Sequence, residues 1–576
     1  MSILTPLTLA AATTAATTAA TTGVEIDFAD VTASSGIAFV HHDAPPVPGL
    51  FDGQNTRFGV GAAVSDYDRD GDQDVYIPDS WGYPNRLYRN DGNGTFTDVT
   101  DESGAGDLGY GHMALFVDLD NDGFDDLVVI NDYNIFGEGL PPSQIYRNDG
   151  DGTFTNVTEG SGFQPIDSTF GGATAGDYDH DGDLDLFVVG WYDWNTYLYR
   201  NEGNFQFSDV TDATGVRPPD FSAQWSPVFA DIDSDGWVDL FCAVDFAADY
   251  LFRNNGDGTF TNVTEAWGAD HVGHDMGVAV ADLDHDLDLD LYTTNITGGD
   301  NCAVEHGCNW LYVNDGDGHF TDGTAEFGLG DTAWGWGVWI FDADLDGARD
   351  VLAVNGWTQP EWHTPATFFH NDGKNRFTER AAECGIGHVG NTRGLTPLDF
   401  DDDGDIDFLM FDVLAAATVY ENRTRRGDHH WLVVAAEGRV SNRNGVGARV
   451  YVTAGGRTQM QEIIAGGSFY AAPPLETHFG LGPTDVVDAL VVTFPSGRRV
   501  RRCAVGVDER LTIVEPDAPA CPGDVDASGT VDDADLLTVL ATWGPCSACC
   551  EADENLDSTV GFHDLITVLD RWGECR

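Results

Sequence analysis

Between Val24 and Asn422 short apolar runs alternate with tight clusters of Asp, Asn and Gly. In the first such stretch an apolar run enters an acidic loop at Asp66, and Asp74-Val75-Tyr76-Ile77 leaves it. Leu87-Tyr88-Arg89-Asn90 follows, then an Asn-Asp-Gly turn, then Phe96-Thr97-Asp98-Val99-Thr100. This pattern predicts four short strands joined by hairpins. Four-stranded sheets repeated radially form a propeller, which leaves only short, protected edges.

The unit recurs. Asp-x-Asp-x-Asp-Gly-x-x-Asp begins at Asp66, Asp118, Asp177, Asp231, Asp342 and Asp399, and a seventh copy at Asp282 has Leu287 in place of glycine. The starts are roughly 50 to 60 residues apart, a blade-sized period. A third-strand motif keeps step at Leu87, Ile145, Leu198, Leu251, Leu311, Phe368 and Val419. The fourth-strand motif of Phe96 recurs at Phe154, Phe207, Phe260, Phe320 and Phe377. The last unit lacks a fourth strand, whereas Phe28-Ala29-Asp30-Val31-Thr32 supplies one ahead of the first loop. Exchange of that strand would close seven blades.

Hard oxygen ligands at alternate positions suit Ca²⁺, and glycine permits the sharp turn between them. The expected ligands are Asp66, Asp68, Asp70, Asp72 (through its carbonyl) and Asp74 in the first loop. Next come Asp118, Asp120, Asp122 and Asp126; Asp177, Asp179, Asp181 and Asp185; and Asp231, Asp233, Asp235 and Asp239. The remaining loops offer Asp282, Asp284, Asp286 and Asp290; Asp342, Asp344, Asp346 and Asp350; and Asp399, Asp401, Asp403 and Asp407. Without a cation such crowded carboxylates repel one another. Magnesium needs fewer protein oxygens, and zinc would want His and Cys.

Charge narrows the partners. With 97 acidic and 27 basic residues among 576, the net charge of -70 disfavours nucleic acid and anionic membranes. Calcium would offset only a minor part of it. No membrane span is expected. Residues 1–22 carry an apolar run and Ala/Thr repeats, read as a signal or leader, and ten cysteines favour an oxidising, extracellular setting.

The repeat resembles the FG-GAP/VCBS unit of integrin-α-type propellers, over residues 23–422. That resemblance implies calcium loops that stiffen the blades while ligands bind elsewhere. In residues 423–515, Asn442-Arg443-Asn444-Gly445-Val446-Gly447-Ala448, His478-Phe479-Gly480-Leu481-Gly482 and Phe494-Pro495-Ser496-Gly497 resemble the ASPIC/UnbV domain of the cartilage acidic protein family. A basic cluster there (Arg498, Arg499, Arg501, Arg502) reads either as a complement to the acidic propeller or as a site for anionic glycans.

After a linker at 516–520, residues 521–576 form a tandem repeat of period 29. Asp524, Asp526, Ser528, Asp532 and Asp535 fit an EF-hand-like calcium loop, and Asp553, Asn555, Asp557 and Asp564 repeat it. Apolar helices are expected at Leu536 to Trp543 and Leu565 to Trp572. The tail is similar to a type I dockerin, which implies a cohesin-like partner. Cys521 with Cys546 and Cys550 with Cys575, or the swapped pairing, would staple it. Cys302 and Cys308 suit a local disulfide, and Cys242 reads as core. The fold class is thus mainly β: a seven-bladed propeller, a small β-rich domain and a small α-helical EF-hand/dockerin-like domain.

No Gly-x-Ser-x-Gly, His-Glu-x-x-His or Walker loop is present. His41, His42, His271 and His274 read as loop histidines. The loops between second and third strands lie opposite the metal loops and are aromatic. Trp81, Tyr83, Tyr133, Trp191, Trp194, Trp357 and Trp362 are the candidate contacts for a glycan or an extracellular protein. The favoured expectation is a secreted, non-catalytic recognition or adhesion protein. The alternatives are a polysaccharide lyase or hydrolase, or a component of a polysaccharide-degrading complex recruited through the tail.

Overall fold

The computed structural model describes residues 25–43, 58–132, 141–164, 171–191, 196–219, 222–296, 309–330, 332–358, 363–517, 523, 525, 530–545, 552–553 and 559–574. Outside them lie the leader, Tyr133, Trp194, Trp362, Cys302, Cys308, Cys521, Cys546, Cys550 and Cys575. The same holds for Asp524, Asp526, Ser528, Asn555 and Asp557.

The protein is mainly β, with propeller-like sheets repeated along the chain. In the first repeat, Ala63–Ser65, Asp74–Ile77, Arg86–Asn90 and Phe96–Asp98 pair antiparallel in that order. Later repeats follow suit; two of them share one eight-stranded sheet, joined where Asp239–Ala248 pairs with Val272–Ala281. Second strands such as Asp74–Ile77 are buried throughout, because both faces of each sheet meet a neighbouring sheet. Fourth strands such as Phe96–Asp98 bury only the phenylalanine, as outer edges do. The final sheet takes its fourth strand from the N-terminus: Phe28 pairs with Asn422 and Asp30 with Tyr420. That exchange is the one the sequence pattern predicts.

The Asn ending the third strand joins neighbours in every repeat but one, where Asn371 donates to the Arg349 carbonyl of its own repeat (3.2 Å). Asn148 donates through Nδ2 to the Tyr67 carbonyl of the preceding repeat (2.8 Å), and Asn201 to that of Leu119 (2.9 Å). Asn254, Asn314 and Asn422 do the same to Tyr178, Ile232 and Ala343. Asn90 reaches back to Phe400 in the last repeat (2.8 Å), which joins the first and last repeats.

Residues 430–514 form two further sheets. In one, His430–Glu437 lies between Thr477–Gly482 and Glu509–Val514; the other orders Arg457–Glu462, Arg449–Ala454, Val487–Thr493 and Arg499–Val505. The segment Ile463 to Pro473 leaves this domain and enters the axis of the propeller. Ala175 N donates to the Ala465 carbonyl (3.2 Å), Ser468 N to that of Val278 (2.6 Å) and Val64 N to that of Ala472 (3.0 Å). This axial segment is a plug.

The tail has two helices, Asp533–Ala541 and Phe562–Asp570, each starting three residues before the apolar stretch marked in the sequence. Asp535 and Asp564 each cap a helix start, accepting from the Asp532 and Gly561 amides (2.8 and 2.7 Å). Val525, Val531, Val539, Val560 and Val568 fill the small core between them.

Candidate metal loops and the opposite face

The six acidic loops that keep the glycine are built the same way. The first carboxylate accepts from the glycine amide: Gly71 to Asp66 (3.1 Å), Gly123 to Asp118 (2.7 Å), Gly404 to Asp399 (3.2 Å). Gly71 holds φ +105°, a region an L-residue resists. The last carboxylate braces the loop. Asp74 accepts from the Asn90 amide (2.8 Å) and the Tyr67 amide (3.2 Å), and Asp126, Asp185, Asp239, Asp290, Asp350 and Asp407 make the corresponding third-strand bond. The third-strand Asn therefore serves loop and neighbour together, a role its recurrence in the sequence did not disclose.

The alternate carboxylates converge. One oxygen from each of Asp66, Asp68 and Asp70 lies within 4.8 Å of the others, as at Asp118/Asp120/Asp122, Asp177/Asp179/Asp185 and Asp231/Asp233/Asp235. Oδ1 of Asp66, Asp179, Asp231, Asp284, Asp344 and Asp399 is buried without a hydrogen-bond donor, as are both oxygens of Asp282. Burial and mutual repulsion push Asp66 up to about 6, Asp118 to about 7, Asp126 to about 9 and Asp399 to about 8. Orphaned, converging, charge-strained oxygens are the donor set a hard cation fits. Leu287 adopts φ 77° where the other loops use glycine, so the seventh copy keeps its turn at a steric cost. In the tail, Asp532 serves as a helix cap, accepting from the Ala534 amide (2.8 Å).

The β domain caps this loop end. Asn444 accepts from the Asp118 amide (2.6 Å) and donates to Asp125 (2.7 Å). Arg510 pairs with Asp399 (3.5 Å), and His478 meets the Gly404 carbonyl (2.7 Å). The arginines that complement the propeller are thus Arg449 and Arg510. The 498–502 cluster turns the other way: Arg498 donates to the Pro516 carbonyl (2.8 Å) and Arg501 to that of Asp553 (3.0 Å). Cys503, next after it, is disulfide-bonded, whereas Cys242 and Cys384 are buried free thiols.

At the opposite end the first strands begin, and here they bulge. Register shifts isolate His112, Trp225, Met276, Trp336 and Arg393 from the pairing. A bulge re-aims its side chain. These residues meet across the axis. Trp225 and Trp336 stand 6.4 Å apart, both pack on Phe469 of the plug (5.3 and 5.0 Å), and His112 stacks on Tyr470 (5.4 Å). The Arg393 guanidinium lies over Trp336 (4.2 Å) and Trp357 (5.1 Å). Phe58 and Trp191 complete the layer against Trp225 (4.8 and 5.8 Å). Trp191 and Trp357 are therefore half-buried parts of this cluster, not freely projecting loop residues. Trp81 also packs inward, while Tyr83 stays exposed and stacks on His42 (3.9 Å).

Imidazole–carboxylate pairs surround the cluster: His42–Asp79 (2.6 Å), His112–Asp132 (2.6 Å), His274–Asp245 (2.7 Å) and His388–Asp412 (3.1 Å). Asp79 and Asp132 follow their second strands by two and one positions, Asp412 ends its own, and Asp245 lies inside the long strand Asp239–Ala248. His41, His42 and His271 lie outside the strands, as expected of loop histidines, whereas His274 lies in the strand Val272–Ala281; carboxylates hold His42, His271 and His274. His41 is buried against Ser80 (3.3 Å), and burial with nearby His112 pushes it down to about 3. The Asp245 carboxylate holds His274 above the usual range. Beside this lies a buried group the sequence reading missed. His271 is 2.9 Å from Asp275, and Asp249 accepts from the Tyr312 hydroxyl (2.7 Å). Burial and the neighbouring Asp275 raise Asp249 well above the carboxylate range. Phe246, largely exposed on the extended strand that ends at Ala248, packs edge-on to His274 (4.7 Å).

Residues 66–129, 118–188, 177–242 and 231–293 match the FG-GAP-like repeat, and 438–520 match the ASPIC and UnbV domain. The chain carries both. It is 23% identical over 513 residues to mouse cartilage acidic protein 1, covering 81% of this chain and 75% of that protein. The human protein gives 22% over 505 residues, covering 79% and 72%. The Xenopus tropicalis protein gives 27% over 269 residues, 45% of this chain and only 40% of that protein's length. Among solved structures, an Agrocybe aegerita lectin studied for recognition of non-reducing terminal N-acetylglucosamine aligns at 18% identity and TM-score 0.36, over 62% of this chain and 89% of its own. The V. cholerae biofilm matrix protein Bap1 aligns at 13% and 0.31, over 84% and 62%. No helix among the described residues is long and apolar enough to cross a membrane.

Proposed function

We propose that this chain is an extracellular recognition protein: a closed, seven-bladed propeller stiffened by calcium at one end and binding its ligand at the other. The strand exchange at Phe28–Asp30 and the bond from Asn90 back to Phe400 support closure. The orphaned loop oxygens support calcium, which would supply the charge that lets the loop carboxylates sit together. The FG-GAP-like and ASPIC/UnbV matches, and the likeness to cartilage acidic protein 1, support an extracellular setting.

The observation that carries the recognition reading is the ring of imidazole–carboxylate pairs around an aromatic floor. Aromatic faces stack on sugar rings and anchor protein side chains, and His–Asp pairs offer both donors and acceptors. The ligand class is a glycan or an extracellular protein. A glycan and matrix-protein array probed with calcium present should give a hit that Tyr83→Ala and Phe246→Ala weaken at least tenfold. A blank array, or hits indifferent to both variants, sinks the reading. Release of reducing ends from a polysaccharide panel would instead point to an enzyme.

A second reading concerns the tail. Leu537, Leu540 and Trp543 are 49–61% exposed, and their period-29 counterparts Ile566, Leu569 and Trp572 are 45–51% exposed. Paired apolar helix faces of this kind suit a docking module with a cohesin-like protein partner. Retention of the full chain on such a partner, lost in Leu537→Asp/Ile566→Asp, is the expected result.

A further inference from the structure

The Asp231–Asp239 loop keeps every residue of the metal motif, yet its surroundings set it apart. In the first three repeats the third-strand arginine is occupied by an acid two positions on. Arg89 meets Asp91 (3.2 Å), Arg147 meets Asp149 (2.5 Å) and Arg200 meets Glu202 (2.5 Å). In the fourth repeat that position is Asn255, which offers no charge. Arg253 turns to the loop instead, with Nε 2.6 Å from Asp233 and Nη2 2.6 Å from Asp235.

The remaining carboxylate is met from the other domain. Arg449 lies 3.4 Å from Oδ2 of Asp231, whose Oδ1 keeps no donor; it also donates to the Ser234 hydroxyl (2.8 Å) and to the Asp231 carbonyl. Glu462 steadies it, 3.0 Å from Arg449 and accepting from the Asp231 amide (3.0 Å). Three loop carboxylates thus face two guanidinium groups, one of them almost wholly buried. Among the described residues no ion pair reaches the corresponding carboxylates at Asp66, Asp118 or Asp177. At Asp399 one arginine, Arg510, reaches the first carboxylate.

We propose that the Asp231–Asp239 loop is a guanidinium site, not a calcium site, and that it clamps the C-terminal β domain to the propeller whether or not calcium is bound. A divalent ion would need the same oxygens and would set its charge against two guanidinium groups, leaving the buried Arg449 with Glu462 as its one acidic partner, a costly exchange. The contrast with the other loops rests on their reading as calcium sites.

Terbium, a luminescent stand-in for calcium, tests this on the full-length protein. Trp237 lies inside the loop and can sensitise an ion bound there. When terbium saturates the other loops, wild type and Trp237→Phe should luminesce alike. Asn255→Asp, which gives Arg253 an acid to pair with, should create a Trp237-dependent signal at least tenfold above that baseline. A Trp237-dependent signal in wild type that titrates with the rest overturns the proposal. Uptake of terbium at no loop overturns the calcium reading, and the clamp is then judged by hydrogen exchange in EGTA. There the Ala472 and Val64 amides should stay protected in wild type and exchange at least tenfold faster in Arg449→Met. Unchanged protection in Arg449→Met overturns the clamp.

Discussion

Glu515 shows how one side chain can hold a loop that sequence assigns to nothing. Its Oε2 accepts from the amides of Arg439, Val440 and Ser441 (2.7, 2.8 and 2.9 Å), and its Oε1 accepts from the Ser496 hydroxyl. Burial alone would raise its pKa, but these donors outweigh it and hold the carboxyl below its ordinary value near 4.5. A depressed folded pKa means the stabilisation is complete above that value and disappears as pH falls through the folded value. Glu515→Gln should therefore cost about 2–3 kcal/mol at neutral pH and little in strong acid, measured by denaturant unfolding across pH. At this scale the Asp and Gly of the acidic loops were legible because their geometry is local, set by spacing within nine residues. The partner of Arg253 was not, since Asn255 matters only once the hairpin has folded it back toward the loop.

Among the elements, strand order and the N-terminal exchange were legible in the repeat's phase, because a motif displaced to the front of the chain has one vacant place to fill. The bulges were not. His112, Trp225, Met276, Trp336 and Arg393 sit in runs that read as ordinary first strands, and a shift of pairing, invisible in composition, turns them onto the axis. The plug that meets them depends on close approach. A Cβ on Gly61 would stand 2.2 Å from the Tyr470 carbonyl oxygen. Gly61→Ala should displace the plug and cost about 1–3 kcal/mol, with faster exchange of the Ala472 amide as its local signature.

For the whole molecule, the acidity divides. Part is concentrated in loops where buried carboxylates crowd, and the rest is spread over the surface. If calcium fills the loops, chelation should lower the melting temperature, since about 2.7 kcal/mol is lost per site once held at a hundredfold excess over Kd. An unchanged melting curve in EGTA would remove calcium from the account of stability. The capping of the loop end by the β domain was not legible. Its contacts come from Arg449, Arg510, Asn444 and His478, scattered singly, while the conspicuous arginine run at 498–502 faces elsewhere.

The plug also sets an order of assembly. Residues 463–473 leave the ribosome after every strand of the ring, including the Thr418–Asn422 strand that receives the N-terminus. During synthesis the ring thus passes through a stage in which Trp225 and Trp336 line an open bore, and later residues of the same chain must stopper it. Expression of the ring alone, cut after Asn422, would freeze the molecule at that stage with a wet, apolar hole at its centre. The first 422 residues are a sequence-level domain but not a finished one.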